Sequence, residues 1–335
     1  MAYSLIGKDF TPPDVHGKVT GKAKYAEDFN VAGMLYARLL TSPIPHARVV
    51  RLDVSAALQM EGVVAILTAE DVPQMPNLGN PILTNEPAYV GDPILAVAAV
   101  DERTAEDAIE AINFDFEPLP FVVDPLTSLR PGGPHARTQG NVGNSTMQDD
   151  FRSIHWSDDE FASLTNSELP QGEPAREWTV GDLDAGFNSA DYILDESFVT
   201  ASFSHNSMEP RSAMAYWENG RCHVFGSGQS QSFNMPVLAR LIDEPVENIH
   251  YVGEFCGGGF GSKGRSYPVM AIPPLMSKKI NRPVMMRISR EEEYYLGIAR
   301  GGLQGRARLG FREDGRIIAA DIYLVQDAGP TPGFW

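Results

Sequence analysis

Between Asn248 and Gly264 the chain reads NIHYVGEFCGGGFGSKG, and glycine at 257, 258, 259 and 261 removes four of five consecutive side chains. Such a run is costly in conformational entropy, so it belongs where φ must be positive or where another group must reach bare main chain. Phe260 stands alone among the glycines and cannot be packed by its sequence neighbours. Its ring either plugs a core or forms one wall of a pocket. Lys263 sets a positive charge beside a row of free N–H groups, which suits an anionic ligand. The plainer alternative is a glycine-rich turn leading into a buried segment.

Two phosphate-binding patterns can be weighed against that stretch. Gly259-x-Gly261-x-x-Gly264 satisfies the dinucleotide fingerprint after a strand, but the helix that should follow contains Pro273-Pro274. The acidic candidates Glu291 to Glu293 also fall later than the usual spacing of about 20 residues. A P-loop is excluded, because Ser262 precedes Lys263 and Gly264 follows it where G-K-[ST] is required.

Composition removes further classes. The 335 residues exceed one ordinary domain, and 43% hydrophobic content is enough for a real core. A formal charge of −17 offers no basic stripe for nucleic acid. Cys222 and Cys256 are too few for a disulfide framework or a cysteine-ligated cluster. The seven histidines never fall at i, i+4 or in HxH spacing, so a histidine metal site has no sequence support. The start MAYSLIGKDF has no basic region followed by a long apolar one, and no run approaches a membrane span. A soluble cytoplasmic protein is the expectation.

The elements that must position the loop can be read from periodicity. Residues 1–16 form an extended lead-in. From 17 to 125 the texture is a compact α/β domain, with strands over 34–41, 49–54 and 63–68. ILAVAAV from Ile94 is a strand covered on both faces, and it leads into an amphipathic helix from Arg103 to Ile112. Residues 126–177 are poor in apolar side chains and dense in turn formers, so they read as a linker or insertion, with Ile154, Trp156, Phe161 and Leu164 able to pin it to a surface. From 178 onward strands resume, with a hairpin turning at Asn219-Gly220. Gln229 follows that hairpin at a strand-to-helix corner, and the helix beyond can hold Pro236 only in its first turn.

These pieces together resemble the first half of the molybdenum-binding subunit of the xanthine oxidase and aldehyde oxidase family, the molybdenum hydroxylases. The matching segments are Gly21 to Asp28, Ser42 to Ala47, Val90 to Ile94, Gly181 to Phe187, His205 with Met208-Glu209-Pro210-Arg211, Gly228-Gln229, and Gly257 to Lys263. Their order and spacing along most of the chain make the match specific. The fold implied is α+β: an α/β hammerhead domain over 17–125, then the first, incomplete part of a molybdopterin-binding domain over 178–335.

The resemblance also implies a cofactor site at Gln229, Gly258, Gly259, Phe260 and Gly261, and a substrate pocket that includes Phe260 and Glu209. The activity implied is oxidation of an aldehyde, an N-heterocycle or a cyclic carbonyl compound, with water as oxygen source. Molybdenum–molybdopterin would be the cofactor here, with [2Fe-2S] and FAD on partner chains or domains. No catalytic residue is expected in this chain, since the family's general-base glutamate lies in the second molybdopterin-binding half. Gly264 stands where purine-oxidising members carry glutamate, which argues against a purine. An inert fragment or binding module is the competing class.

Overall fold

The computed structural model describes residues 4–74, 81–135, 140–143, 151–162, 169–327 and 329. Leu164 and the terminal Phe334-Trp335 lie outside the described residues. After a short α1 (Val15–Val19), the first hundred residues supply β1 (Leu35–Thr41), β2 (Ala47–Asp53), α2 (Ser55–Leu58), β3 (Val63–Leu67), β4 (Pro93–Ala99), α3 (Glu102–Glu110) and β5 (Asn113–Pro118). All seven residues of β4 are buried, as its unbroken apolar run requires of a strand covered on both faces. Asp101 caps α3 by accepting from the Thr104 N–H at 2.8 Å, and Ala105 and Ala108 face inward.

The next segment is sparse: α4 (Pro125–Leu129), the two-residue strands β6 (Val142–Gly143) and β7 (Phe151–Arg152), and α5 (Asp158–Ala162). Ile154, Trp156 and Leu129 are buried together, with Phe161 and Tyr323 packed against them. Trp156 donates its indole N–H to the Tyr323 hydroxyl at 3.3 Å, which pins this stretch to the last strand of the molecule. The remaining elements are α6 (Leu183–Asn188), β8 (Tyr192–Thr200), β9 (Phe203–Ser204), β10 (Ser212–Glu218), β11 (Arg221–Gly226), α7 (Gln231–Leu241), β12 (Ile249–Val252), α8 (Ile272–Ile280), β13 (Val284–Arg287), α9 (Arg290–Leu296), β14 (Ala299–Arg300), β15 (Leu303–Phe311) and β16 (Ile317–Gln326).

The sheet is continuous across the point where the sequence suggests a first domain ends. Its order is β12-β11-β10-β13-β1-β4-β3, and β1 runs parallel to β13 with Leu35 opposite Val284 and Ala37 opposite Met286. One buried cluster follows it, from Leu35 and Leu67 through Val224 and Leu241 to Met276 and Val284. A second cluster lies between α3 and the β2–β5 ladder. A separate antiparallel sheet, β16-β15-β8, carries α6. Among the described residues no helix is long and apolar enough to cross a membrane.

Two proline expectations are corrected. Pro236 lies inside α7, not in its first turn, because the helix already starts at Gln231. Both Pro236 and Ser232, whose carbonyl would have received its missing N–H, are exposed to water. Pro273 and Pro274 do not break a helix but open α8, where an absent N–H costs nothing. Between the glycine loop and α8 the chain passes through turns and a 3₁₀ segment, Pro268–Ala271. No helix N-terminus therefore sits at Gly264, and the dinucleotide reading of Gly259, Gly261 and Gly264 loses the geometry that it needs.

Candidate functional site

The glycine loop leaves the end of β12, the edge strand, and returns under α7. Gly258 and Gly261 have φ of +104° and +100°, and Phe260 between them has φ of +53°. Gly259 serves a different need: a Cβ there would lie 2.3 Å from Gln229 Oε1, 2.4 Å from its Cδ and 2.6 Å from its Cγ. A Cβ on Gly257 would meet Glu209 Cβ at 2.5 Å. The glycines are thus required partly by backbone shape and partly by two side chains laid directly on the main chain.

Gln229 is fixed at both ends. Its backbone N–H donates to the Lys263 carbonyl at 2.8 Å. Its side-chain Oε1 accepts from the Gly261 and Lys263 N–H groups at 3.0 and 3.2 Å. Since both partners are donors, the oxygen must face the loop and the amide nitrogen must face away. Gln229 is exposed, and among the described residues its Nε2 has no protein acceptor. The N–H groups of Gly258, Gly259 and Phe260 likewise have no protein acceptor among the described residues. Three successive free donors on a glycine turn are suited to oxygen ligands.

Behind the loop lies a buried ionic layer. Lys263 is 1% exposed, and its Nζ donates to the Glu209 carbonyl at 2.5 Å and to Glu209 Oε2 at 3.2 Å. The same Oε2 accepts from the Gly257 N–H at 2.7 Å. Glu209 Oε1 is buried with no partner among the described residues. Arg211, also 1% exposed, pairs with Glu293 through Nη1, donates its backbone N–H to Glu293 Oε2 at 2.8 Å, and donates Nη2 to the Ser262 carbonyl at 2.5 Å. Its guanidinium stacks 3.9 Å from the Tyr267 ring, and burial pushes that phenol up to about 12. Burial also raises the Cys256 thiol, which leans on the Gly258 carbonyl at 3.4 Å and so remains protonated.

The expected residues come together: Gln229, Phe260 and Gly261 are exposed on one face, with Gly258 half-buried beside them and Gly259 buried beneath the Gln229 side chain. The Phe260 ring, 63% exposed, stands out from that face. His205 joins the edge of this face: its Nδ1 pairs with the Ile298 carbonyl at 2.9 Å, and its Nε2 is 3.9 Å from where a Gly261 Cβ would lie. Glu209 reaches the loop from the other side, its carboxylate turned to Lys263 and Gly257. Lys263 accordingly does not offer its charge to a ligand, as the sequence suggests; Glu209 neutralises it behind the loop. Arg211 and Glu293 carry no motif signal that assigns them a role. The signal for Glu293 is the Ser289–Glu292 capping box, which starts α9 and turns the next residue inward. A cleft of about 450 Å³ between α3 and α9 is lined by Arg38, Glu106, Glu110, Glu291 and Tyr295 and includes no residue of 257–263.

This donor set fits an oxygen-rich metal–pterin group: a glycine turn with free main-chain N–H groups beside one outward amide. Comparison with known proteins agrees. Residues 166–334 match the molybdopterin cofactor-binding domain, and residues 20–120 match the a/b hammerhead domain of aldehyde oxidase and xanthine dehydrogenase. A probable xanthine dehydrogenase component of Bacillus subtilis is 31% identical over 95% of this chain, which covers 39% of that protein. The nicotinate dehydrogenase large molybdopterin subunit of Eubacterium barkeri is 28% identical over 98% of this chain and 71% of its own length. Among solved structures, quinoline 2-oxidoreductase of Pseudomonas putida superposes with a TM-score of 0.75 at 24% identity, covering 96% of this chain and 39% of that one. This chain thus spans about two fifths of the first relative's length. It belongs to the aldehyde oxidase and xanthine dehydrogenase family of molybdenum hydroxylases, and carries that family's hammerhead and molybdopterin cofactor-binding domains.

Proposed function

We propose that this chain holds the molybdenum–pterin group of an oxidoreductase that hydroxylates an aldehyde, an N-heterocycle or a cyclic carbonyl compound, with water as the oxygen source. When bound, the group supplies the two-electron oxidation of the substrate carbon. Electrons then pass to [2Fe-2S] and FAD partners, and turnover requires a second molybdopterin-binding half that brings the general-base glutamate. Relatives that bear the names nicotinate dehydrogenase, nicotine 6-hydroxylase and aldehyde oxidase support the N-heterocycle and aldehyde parts of this range.

One observation carries the reading: Gln229 Nε2 points outward beside the unpaired N–H groups of Gly258, Gly259 and Phe260. In this arrangement the Gln229 amide would donate to an oxygen of the group, and the free loop N–H groups would donate to its other oxygens. Phe260 is held in a left-handed conformation, costly for a non-glycine residue, with its ring in solvent. Strain retained at an exposed aromatic makes sense as a wall that aligns a flat substrate and excludes water. The Lys263–Glu209 and Arg211–Glu293 pairs neutralise each other behind the loop, while the exposed Arg300 guanidinium donates to the Phe260 carbonyl at 3.4 Å and adds one positive charge to the oriented dipoles of the site. Glu209 enters this reading as a brace behind the substrate wall.

The test is to produce the chain together with the remaining polypeptide of the subunit and measure bound molybdenum and turnover. Gln229→Ala and Phe260→Ala should lower turnover with the melting temperature within a few degrees of the parent. Unchanged rates in both variants would remove the site assignment, and persistent absence of molybdenum would favour an inert module.

A further inference from the structure

The orientation of the Gln229 amide is itself set from a distance. A trans peptide holds its C=O and the following N–H antiparallel in one plane. In the Ser262–Lys263 peptide, the carbonyl is drawn to one side by Arg211 Nη2 at 2.5 Å, and the N–H on the other side meets Gln229 Oε1 at 3.2 Å. Were this peptide to flip, a carbonyl would face Gln229 in place of one of the two N–H groups that hold Oε1 inward, leaving only the Gly261 N–H at 3.0 Å to keep Nε2 outward. One guanidinium thus holds in place one of the two donors that turn the oxygen inward and the amide nitrogen outward.

We propose that Arg211, held by Glu293, is a positioning residue that fixes the donor end of Gln229 outward by locking the Ser262–Lys263 peptide. The arrangement requires arginine. Glu293 takes Nη1 and the Arg211 backbone N–H, and Ser262 takes Nη2. The flat face lies on Tyr267, whose hydroxyl accepts from the Ile298 N–H at 3.0 Å. A planar fork serves two acceptors in fixed directions, and a lysine ammonium does not. Glu293 comes from α9, so the helix after β13 is tied to the loop through this one side chain. The functional meaning of the lock rests on the proposed role of Gln229, whereas the lock itself does not.

The two parts separate experimentally. In the chain without cofactor, amide hydrogen exchange is measured at Gly261 and Lys263, along with the side-chain NH₂ resonances of ¹⁵N-glutamine, with Gln229→Ala identifying the Gln229 signal. Arg211→Lys and Glu293→Gln should each raise exchange at those two amides about tenfold or more and move the Gln229 signal, while amides of β4 stay protected. Should a single variant fail to fold, Arg211→Met with Glu293→Leu removes both charges at once and should show the same local loss. Unchanged exchange and an unmoved Gln229 signal in a folded variant, or full rescue by Arg211→Lys, overturns the lock. The second arm is molybdenum content after co-production with the rest of the subunit. If Gln229→Ala retains the metal and the rate, the reading of Gln229 fails while the exchange result stands.

Discussion

Replacing Gly259 by alanine puts a methyl group 2.3 Å from Gln229 Oε1 and 2.6 Å from its Cγ. Because the collision extends back to Cγ, rotating the terminal amide does not relieve it, and the whole side chain must swing out. The two hydrogen bonds accepted by Oε1 are then lost, at about 1 kcal/mol each. Gly259 is not among the residues of positive φ, so alanine brings no backbone strain and regains about 0.4–1 kcal/mol by stiffening the unfolded chain. The net cost of Gly259→Ala is therefore about 1–2 kcal/mol. In a Gln229→Ala background the three atoms nearest the new methyl are gone, and the same substitution should be neutral or slightly stabilising. The double-mutant cycle should show a coupling of about 2 kcal/mol, with the double variant less damaged than the sum of the singles. Urea unfolding followed by both fluorescence and circular dichroism measures it without any cofactor. Costs that add to within about 0.5 kcal/mol would show that Gln229 does not lie on the loop, and the site would fall with it.

Three further outcomes are expected. Asp92 is 4% exposed, accepts from the Ala88 N–H at 2.9 Å, and is pushed by burial up to about 6 from an ordinary 3.8. A raised carboxyl favours the fold most below pH 4 and loses that contribution as pH climbs through 6, so Asp92→Asn should leave stability at pH 4 unchanged and raise it at pH 7.5 by at most about 3 kcal/mol. Equal gains in melting temperature at both pH values would refute that origin. Phe260→Gly should relieve the left-handed strain and stabilise the apo chain by up to about 1 kcal/mol, read as a higher urea midpoint, while turnover of the complete enzyme falls. Glu293→Ala strands the Arg211 charge in the interior and should cost about 3–5 kcal/mol, most of it recovered when Arg211→Met is added; a double variant as unstable as the single contradicts this.

Local chemistry was legible where one residue's environment is supplied by its neighbours. The unbroken ILAVAAV run, the helix that follows it and the Asn219-Gly220 turn, with φ of +51° and +76°, all appear where the pattern places them. The glycine loop was legible because its composition makes little sense without a close approach. Partners distant in sequence were not. Nothing near Lys263 indicates that Glu209 takes its charge, and nothing near Arg211 points to Glu293, 82 residues later. Periodicity also hides α9, since REEEYYL is seven residues long and lacks a full apolar stripe. The proline errors share one cause: a proline's effect depends on where the helix starts, and that boundary is set by tertiary contacts.

The parallel pairing of β1 with β13 has a bearing on how the chain is made. Arg38 and Arg287, whose guanidinium and carbonyl meet across that junction at 2.8 Å, are 249 residues apart. At about 5–20 residues per second, a ribosome needs on the order of tens of seconds to deliver the later strand after the earlier one has emerged. Throughout that interval one flank of β1 stays open, and any neighbour it accepts must later be displaced. The hammerhead segment is therefore a poor candidate for transplantation by itself: severed from residues 284–287, it would carry a raw edge down the middle of what should be a seven-stranded sheet.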